Sequence, residues 1–376
     1  MHSGSLPVIV VGGGPAGLAV AASLGRRGVP ALVLERSDAV GASWRRHYER
    51  LHLHTTRRGS SLPGLVIPRR YGRWVARADV VLYLEDYTAH HRLDVRTGVE
   101  VARIDRDVSG TWRVETTAGE SLSARAVVVA TGYNHTPVPP AWPGRATFTG
   151  ELVHASDYRH AGPYRGRDVL VVGVGNTGAE IAVDLTEGGA SRVRLAIRTP
   201  PHIVRRSNFG WPAQGTGILV RHLPVPVVDR IARGVARLEV PDLSQFGLPR
   251  PTTGLYSRVL VGSVPVQDVG LIGAVQARTV EPVAAVESFD GADVVLADGS
   301  RIQPEVVIAA TGYRRGLDQL VGHLGVLDAQ GMPVARGPQT TPAAPGLYFV
   351  GYNQPISGLL REARIDAARV ARAVSR

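Results

Sequence analysis

Cysteine is missing from the chain altogether. Chemistry that needs a redox-active cysteine pair is thereby excluded, and so are structural zinc and iron–sulfur sites built on thiolates. Lysine is missing too, so all 43 side chains counted as Lys plus Arg are arginine. No apolar stretch reaches the length of a membrane span, and the chain is expected to be cytoplasmic with no transmembrane segment. Its 376 residues suit about two domains on a prior of roughly 150 residues each. The formal net charge of +11 would ordinarily raise nucleic acid or an anionic membrane as a partner. Here the arginines are scattered singly and in pairs through a chain dense in Ala, Gly, Val and Pro, with no basic tail and no basic stretch interleaved with aromatics. The excess reads as compositional bias, and no nucleic acid is expected.

What the chain does have is two glycine-rich turns, Gly12-Gly13-Gly14-Pro15-Ala16-Gly17 and Gly173-Val174-Gly175-Asn176-Thr177-Gly178, each after an apolar run and each opening into a helical pattern. The first follows Leu6 to Val11, a β-branched run that reads as a buried parallel strand. Its glycines let the backbone turn tightly and approach a pyrophosphate with no Cβ in the way. The helix starting near Pro15 directs its first N–H groups at that charge. A second strand, Ala31 to Leu34, ends in Glu35, the acid expected about twenty positions on to hold a ribose hydroxyl. An acid there favours a free ribose hydroxyl over a phosphate, so this site is expected to hold FAD or NAD.

The second turn follows Asp168 to Val172 and leads into Ala179, Ile181, Ala182, Val183 and Leu185 at helical spacing. Its following strand, Arg192 to Ile197, ends in Arg198 and not in an acid. An arginine at that place forks onto a ribose 2′-phosphate, which points to NADPH. Arg205 and Arg206 lie close behind as further candidates for the same role. Two such turns, roughly one nucleotide-binding domain apart, imply two dinucleotides held at once and a hydride passed from nicotinamide to flavin, with the first turn as the FAD site.

The expected fold class is α/β, with two Rossmann-like dinucleotide-binding domains, the second inserted into the first. The FAD domain is expected over 1–150 and 291–376 and the NADPH domain over 151–290, with a substrate lid over about 205–270. A β-meander is expected around Val95 to Val129. The runs ending in Ala130-Thr131-Gly132-Tyr133 and Ala310-Thr311-Gly312-Tyr313 read as the returning strands that close each domain. Within the lid, Val227, Val228, Ile231, Val235 and Leu238 fall on one helical face and Arg230, Arg233 and Arg237 on another. That basic amphipathic pattern suits a membrane surface. The reading preferred from sequence is that the helix packs on its own domain as a lid over the substrate channel; Phe209 and Trp211 lie in the same segment.

Phe148-Thr149-Gly150-Glu151-Leu152-Val153-His154-Ala155-Ser156-Asp157-Tyr158 matches F-x-G-x-x-x-H-x-x-x-Y, the fingerprint of class B flavin-dependent monooxygenases. Gly41-Ala42-Ser43-Trp44, the Leu82 to Tyr87 helix start, Gly173 to Leu185, Phe246-Gly247-Leu248 and Arg250-Pro251 extend the likeness along nearly the whole chain. The chain resembles the flavin-containing monooxygenases, above all the YUCCA-like branch that converts indole-3-pyruvate to indole-3-acetate. The Baeyer–Villiger branch is less similar, ending its fingerprint in Trp where this chain has Tyr158. The resemblance implies a small-molecule substrate, dioxygen, FAD and NADPH, no metal, and a flavin C4a-(hydro)peroxide that inserts one oxygen atom. The reaction that the resemblance implies is N- or S-oxygenation, or attack on a carbonyl with oxygen insertion or decarboxylation; the alternative is an NADPH oxidase or flavin reductase that inserts none.

Individual expectations follow. Gly12, Gly14, Pro15, Ala16, Gly17, Glu35, Arg36, Trp44, Thr131, Gly132, Gly351 and Asn353 are candidates for FAD. Gly173, Gly175, Asn176, Thr177, Gly178 and Arg198 are candidates for NADPH. Leu347 to Val350 reads as a strand leading through Asn353-Gln354-Pro355 to a helix from about Gly358, and in the family this helix aims its N-terminus at the flavin's pyrimidine edge. His154 is a candidate proton-transfer group or, more simply, a residue hydrogen-bonded to backbone that fixes the hinge. Many flavin-containing monooxygenases carry an asparagine after the Trp44 motif. This chain has Leu53-His54-Thr55-Thr56 there, and asparagine occurs only at 134, 176, 208 and 353. The YUCCA type also departs at that place, which makes His54 and Thr55 candidates for the position near the flavin.

Overall fold

The computed structural model describes residues 6–208, 210–220, 222–353 and 355–376; Phe209 and Gln354 lie outside them. The chain divides into two compact units, one of Met1–Arg45, Thr55–Thr136 and Tyr313–Arg376, the other of Arg46–His54 and Pro137–Gly312.

The first unit is built on a five-stranded parallel sheet in the order Leu347–Phe349, Ala126–Val129, Val8–Val11, Ala31–Leu34, Asp94–Arg96. Its inner strands are continuous apolar runs because both faces are covered, as a parallel sheet requires. The Pro15–Gly25 helix has Pro at its first position and buries every residue from Gly17 to Leu24. It is apolar all round, as befits a helix with no solvent face. Its neighbour is the Leu359–Val374 helix, which turns Ala363, Ala367 and Val370 inward and leaves Leu359 exposed. An antiparallel meander of Val101–Arg106, Trp112–Thr116 and Ser121–Ala124 stands beside the sheet. Trp112 and Val114 carry its inner face into the core with Ile104 and Phe349. The expected meander is therefore narrower than Val95 to Val129, since both ends of that span belong to the parallel sheet. Leu82 to Tyr87 lie in the middle of a helix that already begins at Arg77, with Asp79 in its first turn.

The second unit repeats the scheme. Five parallel strands run in the order Val280–Ala284, Arg192–Ile197, Asp168–Val172, Val306–Ala309, Glu151–His154. Val286–Asp290, Asp293–Leu296 and Arg301–Ile302 form the attached antiparallel piece. The boundary falls after Gly312 and not after 290, because Val306–Ala309 pairs with both Asp168–Val172 and Glu151–His154. Residues 137–150 also belong here, since Trp142 and Phe148 pack on Phe289 with ring centroids 5.3 and 4.9 Å apart.

The Val225–Glu239 helix departs from expectation. Val228 is buried, but Val227, Ile231, Val235 and Leu238 are 42, 42, 39 and 91 % exposed. The inner side carries Asp229, Ala232, Arg233, Ala236 and Arg237, which line a cavity of about 440 Å³. The helix thus packs on its own unit through that inner side, and most of its apolar face is turned outward.

Candidate active site

Gly12, Gly14 and Gly17 in the first turn, and Gly173, Gly175 and Gly178 in the second, have different jobs, and the space around each α-carbon shows which. A Cβ on Gly12 would stand 2.6 Å from the Ala130 carbonyl oxygen, and one on Gly173 would stand 2.6 Å from that of Ala310. Both residues have positive φ, +112° and +107°. A Cβ on Gly17 would meet the Gly12 carbonyl oxygen at 2.0 Å, and one on Gly178 would meet that of Gly173 at 1.9 Å. These glycines make the tight turn and bring the helix against the strand. The middle glycines differ in kind. A Cβ on Gly14 or Gly175 would meet nothing within 4 Å, and the two residues sit at the N-caps of the Pro15–Gly25 and Asn176–Glu187 helices. Neither cap residue supplies a side-chain hydrogen bond. Each cradle thus pairs helix N–H groups with open space where a Cβ would have stood, a site suited to a pyrophosphate.

Around the first cradle, Glu35 is buried at 7 % exposure. Its Oε2 accepts the Gly13 N–H at 2.6 Å and its Oε1 accepts that of Ser37 at 2.9 Å. Each oxygen retains a second lone pair for a hydroxyl. Arg36, the next residue, is engaged with His135 Nε2 at 2.9 Å and Glu100 at 3.8 Å. Gly351, at φ +88°, brings its backbone so close to the helix start that a Cβ would lie 3.2 Å from that of Ala16. The loop after Ala126–Val129 and the loop after Leu347–Phe349 are joined by Thr131 Oγ1 to Tyr352 Oη at 2.7 Å and by Tyr133 Oη donating to the Tyr352 carbonyl at 2.7 Å. Tyr352 is fully buried, and burial pushes its phenol up to about 12. The Asn353 amide donates to Asp366 Oδ2 at 3.1 Å, while burial raises the Asp366 carboxyl above its ordinary range. Trp44 is half-buried in the short Ala42–Arg46 helix, and the Thr55 hydroxyl bonds that of Ser60 at 2.6 Å.

The second cradle is backed by an acidic stripe. Glu180, Asp184 and Glu187 fall at i, i+4 and i+7 on the Asn176–Glu187 helix and share one face. Against them lie residues 46–54, which sequence reasoning had placed with the flavin domain. Tyr48 is buried, receives a hydrogen bond from the Thr177 hydroxyl and donates to Glu180; burial first and Glu180 second push its phenol well up. Arg50 pairs with Glu187. His54 Nε2 stands 3.1 Å from Glu180 Oε1, off the line of a hydrogen bond. His54 therefore belongs to the second unit and Thr55 to the first, the chain passing between units at that bond. Burial also lowers the pKa of Arg206, which the Glu180 charge opposes.

The fingerprint acts as a clasp along this unit. Phe148 packs on Phe289. A Cβ on Gly150 would lie 2.8 Å from the Glu305 carbonyl oxygen. His154, in register with Ala309, accepts the Ser156 N–H at Nδ1 at 3.0 Å. With Nδ1 an acceptor the neutral ring carries its proton on Nε2, and burial holds its pKa below the ordinary value. Tyr158 is buried, stacks on Tyr164 with centroids 5.6 Å apart, and donates to Asp184 Oδ2 at 2.5 Å. The Asn176 side chain is committed at both ends, donating to the Pro265 carbonyl at 3.1 Å and accepting the Gln267 N–H at 2.7 Å. Its backbone N–H is what remains for a phosphate. Arg198 follows its strand directly and is exposed, while Arg205 donates to the Glu239 carbonyl at 2.9 Å.

Sequence reasoning missed Tyr48, Glu180, Asp184 and Tyr352. The acidic stripe was visible as E-x-x-x-D-x-x-E on a helix beginning at a glycine turn, but a charged stripe is ordinarily a solvated face. Only the fold shows that Glu180 is 1 % exposed.

Residues 9–210 match the family model described as pyridine nucleotide-disulphide oxidoreductase. The chain is 40 % identical over 97 % of its length to the indole-3-pyruvate monooxygenase YUCCA1 of Oryza sativa subsp. japonica, covering 90 % of that protein. It is 35 % identical over 96 % of its length to the probable indole-3-pyruvate monooxygenase YUCCA9 of Arabidopsis thaliana, covering 87 % of it. A solved flavin monooxygenase from Stenotrophomonas maltophilia, a double-substitution variant, superposes with a TM-score of 0.76 at 25 % identity, over 99 % of this chain and 98 % of that one. Two cradles, the fingerprint clasp and these likenesses agree: the chain belongs to the pyridine nucleotide-disulphide oxidoreductase family and, within it, is a class B flavin-dependent monooxygenase that uses FAD and NADPH.

Proposed function

We propose that the enzyme oxygenates a small aromatic 2-oxo acid with loss of carbon dioxide, and that its two units are Rossmann-like domains, the second inserted into the first, holding FAD and NADPH respectively. The observation that carries the substrate class is the 40 % identity, over 97 % of the chain, to an indole-3-pyruvate monooxygenase. The balance is one 2-oxo acid, one dioxygen, one NADPH and a proton giving the acid one carbon shorter, carbon dioxide, water and NADP⁺. FAD, when bound and reduced by NADPH, supplies the activation of dioxygen.

The chain's own residues bind and orient. The Gly14 opening and the first N–H groups of the Pro15–Gly25 helix take the FAD pyrophosphate, and Glu35 takes a ribose hydroxyl. The Thr131–Tyr352 bond fixes the two loops that carry Gly132, Gly351 and Asn353 beside that cradle. Gly175 and the backbone N–H groups of Asn176 and Thr177 take the NADPH pyrophosphate, and Arg198 forks onto its 2′-phosphate. His154 holds backbone in place and moves no proton. Its Nδ1 is occupied by a backbone N–H and its ring is kept neutral by burial.

The test is turnover with NADPH, isotopically heavy dioxygen and indole-3-pyruvate, beside a panel of thioethers, amines and ketones. One heavy oxygen in the shortened acid, with carbon dioxide released in step with NADPH consumed, is the expected result. Label in a sulfoxide or N-oxide instead would overturn the substrate class. Hydrogen peroxide equal to the NADPH consumed, with no labelled product from any of them, would overturn oxygen insertion.

A further inference from the structure

The outward face of the Val225–Glu239 helix has no occupant among the described residues. Val227, Ile231, Val235 and Leu238 recur at spacings of four, four and three, which lays them along one stripe. They are 39 to 91 % exposed, and Leu223, just before the helix, is 42 % exposed. A contiguous exposed apolar stripe rimmed by polar residues marks an interaction surface. Its borders say with what. Arg230 and Arg237, two turns apart on the helix, edge the stripe on one side and are exposed. The helix has only two acids. Asp229 is buried and accepts the backbone N–H groups of Tyr256 and Ser257 as well as the Ser257 hydroxyl. Glu239 is the last residue of the helix. The outward stripe therefore carries cations at its edge and no carboxylate within it, in a chain of net charge +11.

We propose that this helix is a docking surface for an anionic lipid bilayer, lying in the interface plane with its apolar stripe among the acyl chains and Arg230 and Arg237 at the phosphates. No helix of the described residues is long and apolar enough to cross a membrane, so attachment is to one leaflet and reversible. A second copy of the chain is a poorer occupant. Two-fold packing about the middle of the stripe sets Arg230 of one copy opposite Arg237 of the other, like charge against like. The apolar stripe lies on the opposite side of the helix from Asp229, Ala232 and Ala236 of the cavity wall, with Arg237 at the boundary between the two faces, and the proposal does not depend on which substrate the enzyme oxygenates.

The experiment is flotation of the FAD-loaded enzyme with vesicles of phosphatidylglycerol and phosphatidylcholine, or of phosphatidylcholine alone, at low and high salt, with sedimentation velocity on the same samples. Binding to the anionic vesicles, weakened by salt and far weaker on phosphatidylcholine alone, is expected. Ile231→Asp with Leu238→Asp is expected to lower vesicle binding more than about tenfold, with flavin content and melting temperature unchanged. Arg230→Gln with Arg237→Gln is expected to abolish the preference for the anionic lipid. The proposal is overturned if the wild-type enzyme does not float, or if flotation survives both aspartates. It is also overturned if the aspartates convert a dimer to a monomer in the absence of vesicles, or if they leave flotation intact and raise only the peroxide released per NADPH; these results would identify a second copy or a substrate lid as the occupant.

Discussion

The two cradles share a backbone and differ in what stands behind it. In both, a Cβ on the first or the last glycine would be pressed against a carbonyl oxygen at nearly the same distances, 2.6 and 2.0 Å at Gly12 and Gly17 and 2.6 and 1.9 Å at Gly173 and Gly178, while Gly14 and Gly175 open onto space. Behind the first, the helix carries no charged residue and is buried from Gly17 to Leu24, and Glu35 is tied to the turn itself. Behind the second, the helix carries Glu180, Asp184 and Glu187 on one face and is met by Tyr48, Arg50, His54 and Tyr158. The first helix is sealed into a core, whereas the second is clasped by polar contacts from residues 46–54 and from the fingerprint.

The largest effects should come from the glycines. Gly17→Val and Gly178→Val drive side chains into backbone carbonyls and are expected to yield no soluble folded protein. Gly14→Val and Gly175→Val meet nothing in the chain and are expected to fold. The first should then lose most of its bound flavin, and the second should keep its flavin while its KM for NADPH rises about tenfold or more, from lost hydrogen bonds to a charged group. Flavin content by absorbance and steady-state kinetics separate the two, and equal flavin loss in both would erase the distinction between the cradles.

Smaller effects test the clasp. Tyr158→Phe removes a hydrogen bond to the Asp184 carboxylate and should cost about 1.5 to 3 kcal/mol, read as a lower denaturant midpoint. Tyr352→Phe removes a neutral bond to Thr131 and should cost about 1 kcal/mol. A reversed order would place the more important polar anchor in the first unit.

Acid should loosen both units. His135 in the first and His154 and His202 in the second are each held below the ordinary imidazole pKa, burial being the largest cause in every case. The unfolded chain then binds more protons than the folded one below about pH 6.5. Stability is fully present above that value and falls as pH drops through it toward the lower folded-state values. Melting temperature against pH, with His154→Gln as the comparison, should show the variant losing less on acidification than the parent.

The strands and turns that build the cradles were legible because each has a local cause. Val8–Val11 and Val169–Val172 are unbroken apolar runs, and at φ near +110° Gly12 and Gly173 hold a conformation that residues with a Cβ rarely adopt. Three features were not legible, and each depends on contacts distant in the chain. Residues 46–54 join the second unit through side chains that meet a helix more than a hundred positions later. The boundary at Gly312 follows from a strand pairing, not from composition. Periodicity identified an apolar face on the Val225–Glu239 helix but carried no sign for its direction, and the fold turned that face to solvent.

The inequality of the cradles is tested most directly at Arg198. With Arg198→Glu, anaerobic flavin reduction should be measured against NADPH and NADH in enzyme of known flavin content. The expected result is a loss of kcat/KM for NADPH of about tenfold or more, from the lost charge-assisted contact to the 2′-phosphate, with NADH reduction and flavin content unchanged. Equal losses for the two nucleotides, or a loss of flavin with NADPH kinetics intact, would contradict the assignment of the second cradle to NADPH.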